Sequence, residues 1–136
     1  MRGLSLLILL TGIGWSSCTQ SGDGSCAEEN CSADFVMITA NITDSIGNPF
    51  YPDSTVTITE NGKRLHTQNS PTFPSTSQYT IIDDSHMNSL AKFFVSTVYC
   101  KVYKDDSLIH TEPYAVSANC CHVFKQSGSA TIVVHP

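Results

Sequence analysis

Three consecutive residues, Cys120, Cys121 and His122, are the stretch whose side chains most directly suggest chemistry. Thiolates and imidazoles are the usual ligands of zinc, and a cysteine beside a histidine also suggests an activated nucleophile. On a strand, however, neighbouring side chains point to opposite faces, so Cys121 is not expected to join the other two. No Cys-x-x-Cys or His-x-x-x-His pair accompanies the triplet, so we expect neither a metal nor another cofactor.

Disulfide bonds are the alternative use for these cysteines in a secreted chain. Four bridging cysteines allow three pairings, and the sequence does not choose among them. We expect Cys26 and Cys31 to reach Cys120 and Cys121, which would fasten the N-terminal segment to the fold and leave Cys100 as a buried thiol. The alternative is a local Cys26–Cys31 loop, with Cys100 paired to one of the later two cysteines.

The remaining titratable residues form no catalytic motif. Cys100 with His110 or His122 is a conceivable nucleophilic pair, but we favour a core cysteine and surface histidines. The acidic pairs Asp83-Asp84 and Asp105-Asp106 lie at predicted turns without an EF-type calcium loop. We therefore expect no enzyme. The five histidines are His66, His86, His110, His122 and His135.

Short alternating segments predict the scaffold that positions these residues. Residues 34–43 alternate apolar and polar side chains, as a half-buried strand does, and residues 54–60 repeat the pattern. Asn61-Gly62 predicts a tight hairpin that leads into a return strand. Further strands are predicted over residues 79–82, 108–111, 114–124 and 130–135, and a short helix over residues 84–91.

The longest central strand is predicted over residues 92–103, which are rich in aromatic and β-branched residues. Val98, Cys100 and Val102 share one face of it, and we expect Phe94 on the same side. With turns at regular spacing, the chain is predicted to be all-β: an antiparallel two-sheet sandwich of about seven strands with one short helix.

The stretch ITANITDSIGNPFYPDSTVTITENGK resembles the first hairpin of carboxypeptidase-regulatory-like, or prealbumin-like (transthyretin-like), β-sandwich domains. Asp44, Gly47, Asn48 and Pro49 carry the match. From YTIIDDS to SANCCHVFKQSG, the second half resembles small lipoproteins of the Bacteroidetes that have this fold and no assigned function. The resemblance implies a fold, and folds of this kind host many roles.

The N-terminus predicts the destination of the chain. Arg2, an apolar run over residues 4–10 and then small residues have the order of a secretory signal peptide. Trp15-Ser16-Ser17-Cys18 resembles the bacterial lipobox, which implies a lipid on Cys18 as the first mature residue. We therefore expect a signal peptide over 1–17, a tether over 18–33 and a domain over 34–136. The tether acids Asp23, Glu28 and Glu29 resemble a surface-export signal; a solvated linker is the alternative.

Two further patterns suggest surface modification or binding. Ser45, Ser54 and Ser107 each follow an aspartate and precede a hydrophobic residue or threonine, which resembles the O-glycosylation signal of secreted Bacteroidetes proteins; ordinary turn chemistry is the alternative. Phe50, Tyr51 and Phe73 lie in predicted loops, where they either contact a ligand or pack over the ends of the sandwich.

The charge of the chain narrows the classes of partner. The net charge is −5, and no basic patch interrupts the acidic balance, so nucleic acid is not an expected partner. We expect a non-enzymatic outer-membrane lipoprotein of the cell envelope, on its periplasmic or surface face. It would be held by its lipid and bind a protein or glycan, in an adhesion or glycan-related role. The alternatives are a metal-binding or enzymatic domain built on the Cys/His triplet and a structural subunit of an envelope complex.

Overall fold

A computed structural model describes residues 26, 30–73 and 75–135 of the chain. The predicted signal peptide, the lipidation candidate Cys18 and the tether acids Asp23, Glu28 and Glu29 lie outside the described residues. The described part forms eight strands: β1 Met37–Thr43, β2 Ser54–Thr59, β3 Arg64–Gln68, β4 Gln78–Asp83, β5 Val95–Lys104, β6 Ser107–Ala118, β7 Val123–Ser127 and β8 Thr131–Val133. A short 3₁₀ helix, Asp84–Ser89, follows β4.

The strands form two sheets, which confirms the predicted all-β sandwich. One sheet has the order β4-β1-β8, and the other has the order β3-β2-β5-β6-β7. The prediction of a wholly antiparallel arrangement is wrong for one pair of strands, because β1 and β8 pair in parallel along Asn41–Thr43. Strand β8 follows β7, which lies in the other sheet, so no tight hairpin turn joins β8 to β1. The direction of β8 relative to β1 is therefore not fixed by a turn.

The core lies between the two sheets. It is built mainly from every second residue of a strand, whose side chain points toward the opposite sheet. On β5, the central strand of the larger sheet, Val98, Cys100 and Val102 are fully buried as predicted. The prediction for Phe94 is wrong, since its side chain is 71% exposed. Phe93 has a positive φ of 63°, and this reversal between the helix and β5 leaves Phe94 ahead of the strand and outside its alternation.

The β2–β3 hairpin follows the Asn61-Gly62 signal. Gly62 has φ +82°, a conformation that glycine adopts without steric cost, and the amide of Thr59 donates to the carbonyl of Lys63 across the turn. In the second half of the chain, β6 is a single long strand that includes the predicted segment 108–111. It is longer than β5, where the longest strand was predicted.

The predicted strand over 114–124 is wrong because the chain turns within it. β6 ends at Ala118 and β7 begins at Val123. The side-chain oxygen of Asn119 accepts hydrogen bonds from the amides of Cys121 and His122, at 2.8 and 2.7 Å. An asparagine that caps its own downstream backbone in this way closes a turn. Cys120 and Cys121 therefore lie in the β6–β7 turn and not on opposite faces of a strand.

The predicted helix over 84–91 is the 3₁₀ helix, which Asp83 caps by accepting from the amide of Ser85 at 3.0 Å. In the described ranges no helix has both the length and the apolar character needed to cross a bilayer. The two sheets meet along their lateral edges, with β3 beside β4 on one side and β7 beside β1 on the other. Two polar clusters, described below, lie at these edges.

Candidate functional site

Two disulfides occupy the cysteines of the β6–β7 turn. Cys26 is bonded to Cys120, and Cys31 is bonded to Cys121. Cys26 and Cys31 thus reach Cys120 and Cys121 as expected, although the sequence left open which cysteine bonds to which, and Cys100 is the buried free cysteine of the described chain. The bridges fasten the segment before β1 to the turn. Because both sulfurs of the triplet are bonded, neither is a thiolate ligand, and the Cys/His metal alternative has lost two of its three ligands.

Asp84 organises the space beside the bridges. Its side chain is nearly fully buried, with 6% of the residue exposed. One carboxylate oxygen accepts from the amide of Val123 at 2.8 Å; the other accepts from the amide of Val36 at 2.8 Å and lies 2.8 Å from Nδ1 of His122. The aspartate thereby joins the start of the helix to the segment before β1 and to the start of β7.

Hydrogen bonds keep Asp84 ionised. Burial acts to raise the pKa of its carboxyl, but the bonds from His122 and from the two amides outweigh burial, and the pKa lies below its ordinary value. A carboxylate only accepts, so His122 donates from Nδ1 and its Nε2 is the acceptor in the neutral ring. Ser32 lies on that side, with Oγ 3.0 Å from Nε2.

Ser32, His122 and Asp84 thus have the order of a serine-hydrolase triad. Such a triad also needs unengaged donors for the oxyanion that forms on the substrate. The amides of Cys121 and His122 donate to Asn119, and those of Val36 and Val123 donate to Asp84. These four amides already donate to side chains, so none of them is available to an oxyanion. Their hydrogen bonds instead hold three segments of the chain together. Sequence reasoning missed it because Ser32, Asp84 and His122 are far apart in the chain.

Cys100 is unsuited to nucleophilic catalysis. Burial, together with the charge of Glu112, raises the pKa of its thiol to about 12, so the thiol stays protonated at neutral pH. His110 is hydrogen-bonded to Glu112, with 3.1 Å between Nε2 and the carboxylate. His122 is bonded to Ser32 and Asp84, as above. Neither predicted partner histidine is placed to activate Cys100.

A second polar cluster lies at the β3–β4 edge. His66 on β3 faces Asp83 at the end of β4 and His86 in the 3₁₀ helix. Nδ1 of His86 lies 2.9 Å from the Asp83 carboxylate, and the rings of His66 and His86 meet edge to face with centroids 5.6 Å apart. Both histidines are partly buried. Nothing in their sequence spacing signals this meeting.

A groove of about 560 Å³ lies at the tip of the β2–β3 hairpin. The C-terminal end of the 3₁₀ helix and the start of β5 form its other walls. Beside it, Phe93, Phe94 and Val95 are three consecutive exposed apolar residues. Polar side chains line the groove: Thr59, Glu60, Asn61, Lys63, Ser96 and Thr97. We take this groove, with its polar lining, as the candidate ligand-binding surface.

The other predicted surface residues are separate from this groove. Ser45 and Ser107 are exposed at turns, whereas Ser54 is half-buried at the start of β2. The predicted aromatic platform divides, because Tyr51 and Phe73 are exposed while Phe50 packs against the core.

Asp105 and Asp106, both with positive φ, form the β5–β6 turn.

Comparison of the whole chain with protein-family models, characterised proteins and solved structures finds no match.

Proposed function

We propose that this chain is a non-enzymatic binding module of the cell envelope, held at the membrane by a lipid on Cys18. The observation that carries the proposal is the hairpin groove, defined above by the β2–β3 tip, with its polar lining and the exposed residues 93–95 at its side. Amide, carboxylate and ammonium groups donate to and accept from hydroxyls, and aromatic rings pack on apolar faces. A glycan segment presents both hydroxyl groups and apolar faces, so it matches both parts of this site.

The disulfides support an extracytoplasmic location. Two bridges of this kind form and persist in oxidising compartments. Cys26 follows Cys18 by eight residues, a distance that an extended chain spans in at most about 28 Å. A lipid on Cys18 would therefore hold the bridged end of the sandwich close to the bilayer surface, and the accessory role we propose is exercised there.

The anchor is tested by mass spectrometry of the protein from isolated membranes. We expect an N-terminal peptide that begins at Cys18 and carries acyl chains, and we expect Cys18→Ser to move the protein to the soluble fraction. An unmodified chain in the soluble fraction would contradict the anchor. The same spectra test glycosylation at Ser45, Ser54 and Ser107, which would add sugar masses to those peptides.

Binding at the groove is tested by titrating the protein with a panel of soluble envelope oligosaccharides and recording amide NMR shifts. We expect saturable shifts around the groove that Thr97→Tyr, which fills it, abolishes. Thr111→Tyr is the matched control, because Thr111 is an exposed threonine elsewhere on the same sheet. Shifts that persist in the Thr97 variant, or an absence of saturable shifts across the panel, would contradict a glycan-binding groove.

A second candidate function is a structural subunit that accepts a strand from a partner. Strand β8 covers only Asn41–Thr43 of β1, and beside the uncovered half a groove of about 390 Å³ opens toward β7. Met37 and Phe124 line this groove and are exposed apolar residues. An extended apolar segment would add main-chain hydrogen bonds there.

Native mass spectrometry of gently solubilised envelope separates the two functions. A stable complex that Phe124→Arg dissociates, while Phe73→Arg at a remote exposed phenylalanine does not, would favour the subunit. A monomer in the same spectra would favour the binding module.

A further inference from the structure

The cluster at the β3–β4 edge brings together side chains from both sheets. His66 belongs to the edge strand of the larger sheet, while Asp83 ends the edge strand of the smaller sheet and His86 lies in the helix that follows. One nitrogen or oxygen atom of each residue lies within 4.8 Å of those of the other two. The side chains of Asp83 and His86 are only 14% and 19% exposed.

Hydrogen bonds account for two of the three residues. One Asp83 oxygen, Oδ1, accepts from the amide and hydroxyl of Ser85 and lies against His86. The other oxygen, Oδ2, has no hydrogen-bond partner in the described part of the chain. The His66 ring interacts with Gln68, but its Nε2 is buried without a partner among the described residues. A buried, unsatisfied ring nitrogen is costly, and a bound ion or water would relieve that cost.

We propose that His66, Asp83 and His86 bind a Zn²⁺ ion. Two imidazole nitrogens and a carboxylate oxygen are a donor set that suits zinc, whereas Ca²⁺ and Mg²⁺ prefer oxygen ligands alone. Metal bonds of about 2.0–2.2 Å place ligand atoms roughly 3–4 Å apart, so small side-chain rotations close the present spacing. Three protein ligands leave a fourth position for water.

The position of the site gives the ion a structural consequence. The disulfides fasten the segment before β1 to the β6–β7 turn, and Asp84 ties the same region together. At the opposite lateral edge, β3 and β4 are joined through the loop of residues 69–77 and through side-chain contacts. Zinc at this cluster would cross-link the two sheets there.

The experiment uses protein with both disulfides formed, purified without a polyhistidine tag and treated with EDTA. Titration with ZnCl₂ is followed by calorimetry, and unfolding is followed with and without the metal. We expect saturable binding of about one Zn²⁺ per chain and a rise in Tm, with no rise in CaCl₂ or MgCl₂. Failure to bind Zn²⁺ saturably would overturn the proposal.

Variants assign the ligands. We expect His66→Ala and His86→Ala each to weaken zinc binding by at least about 100-fold. His135→Ala, at an exposed histidine near the C-terminus, is the control and should bind as the parent does. NMR of the parent protein gives an assignment that does not depend on how the variants fold: Zn²⁺ should shift the ring resonances of His66 and His86 and leave those of His110 unchanged. Zinc that binds with unchanged affinity in either variant, or that shifts the His110 ring instead, would refute the site.

Discussion

Asp83 and Asp84 are neighbours in sequence whose carboxylates serve opposite edges of the sandwich. Asp83 caps the 3₁₀ helix and faces His86, whereas Asp84 is directed to the bridged turn and faces His122. Consecutive side chains of a strand point to opposite sides, and the two aspartates at the end of β4 keep this arrangement. A pair that reads as simple turn chemistry in the sequence thus joins two separate polar networks.

Replacement of Asp84 by alanine should be among the most destabilising single changes. The variant leaves the amides of Val36 and Val123 and the Nδ1 of His122 without their acceptor in a buried site. We expect a loss of about 3–5 kcal/mol in the free energy of unfolding, measured by urea denaturation.

Asp34→Ala is the matched control for this measurement. Asp34 is exposed, and its replacement should change stability by less than about 0.5 kcal/mol. If Asp84→Ala matched that small effect, the carboxylate would not be the junction described above.

At the scale of elements, the sequence predicted strands better than it predicted their ends. Alternation located β1 and β2, and Asn61-Gly62 located the hairpin, because both signals are local. The β6–β7 turn was missed because its apolar and sulfur-bearing residues extend a strand-like pattern, and only the contacts of the Asn119 side chain reveal the turn. The clusters around Asp84 and His66 were missed because they unite residues from different sheets, and single-chain periodicity carries no information on such pairs.

The turn between β7 and β8 depends on the absence of a side chain at Gly128. This residue has φ +127°, and a Cβ there would lie 2.2 Å from Cδ1 of the buried Tyr114 ring. The Tyr114 hydroxyl donates to the carbonyl of Ser129 at 2.8 Å, so the ring is held in place from the same turn. Close contact with an immobile ring, more than backbone freedom, accounts for the glycine.

Gly128→Ala and Gly62→Ala form a matched pair that separates packing from backbone strain. Both positions have positive φ, but nothing lies within 4 Å of a Cβ at Gly62. We expect Gly62→Ala to cost about 1–2 kcal/mol from strain alone, and Gly128→Ala to cost about 1–3 kcal/mol more because Tyr114 must move. The measurement is the free energy of unfolding, and equal losses would show that the contact with Tyr114 is not limiting.

At the scale of the whole molecule, acid should destabilise the metal-free fold in two stages. The folded pKa of His66 lies below its ordinary 6.5, so below that pH the unfolded chain binds a proton that the folded chain resists. The folded pKa values of Asp83 and Asp84 lie below 3.8, so their contribution is complete above that value and is lost as the pH falls further.

The pH dependence is measured by urea unfolding between about pH 8 and pH 2. We expect a gentle decline that begins near pH 6.5 and a steeper one below pH 3.8. His66→Gln should remove the first decline and keep the second. A first decline that survives this substitution would assign it to another histidine.

The two disulfides act on the whole chain as one clasp, since they join residues five apart on one side to adjacent residues on the other. In the chain-entropy account, a single bridge across a separation of 90 or 94 residues restricts the unfolded chain by closing one long loop, which is worth about 4–5 kcal/mol. Once it is present, the other bridge closes a ring of only about seven residues, worth about 2 kcal/mol.

Removal of the bridges should therefore be strongly non-additive. Cys31→Ala with Cys121→Ala, or Cys26→Ala with Cys120→Ala, should each lower the free energy of unfolding by about 2 kcal/mol, because the remaining bridge still closes the long loop. Removal of all four cysteines should cost roughly 6–7 kcal/mol, or leave the chain unfolded. Urea denaturation of the three variants beside the parent provides the comparison. If either paired variant lost more than half of the free energy of unfolding that is lost when all four cysteines are removed, its bridge would constrain a separate part of the molecule. The two disulfides would then act independently.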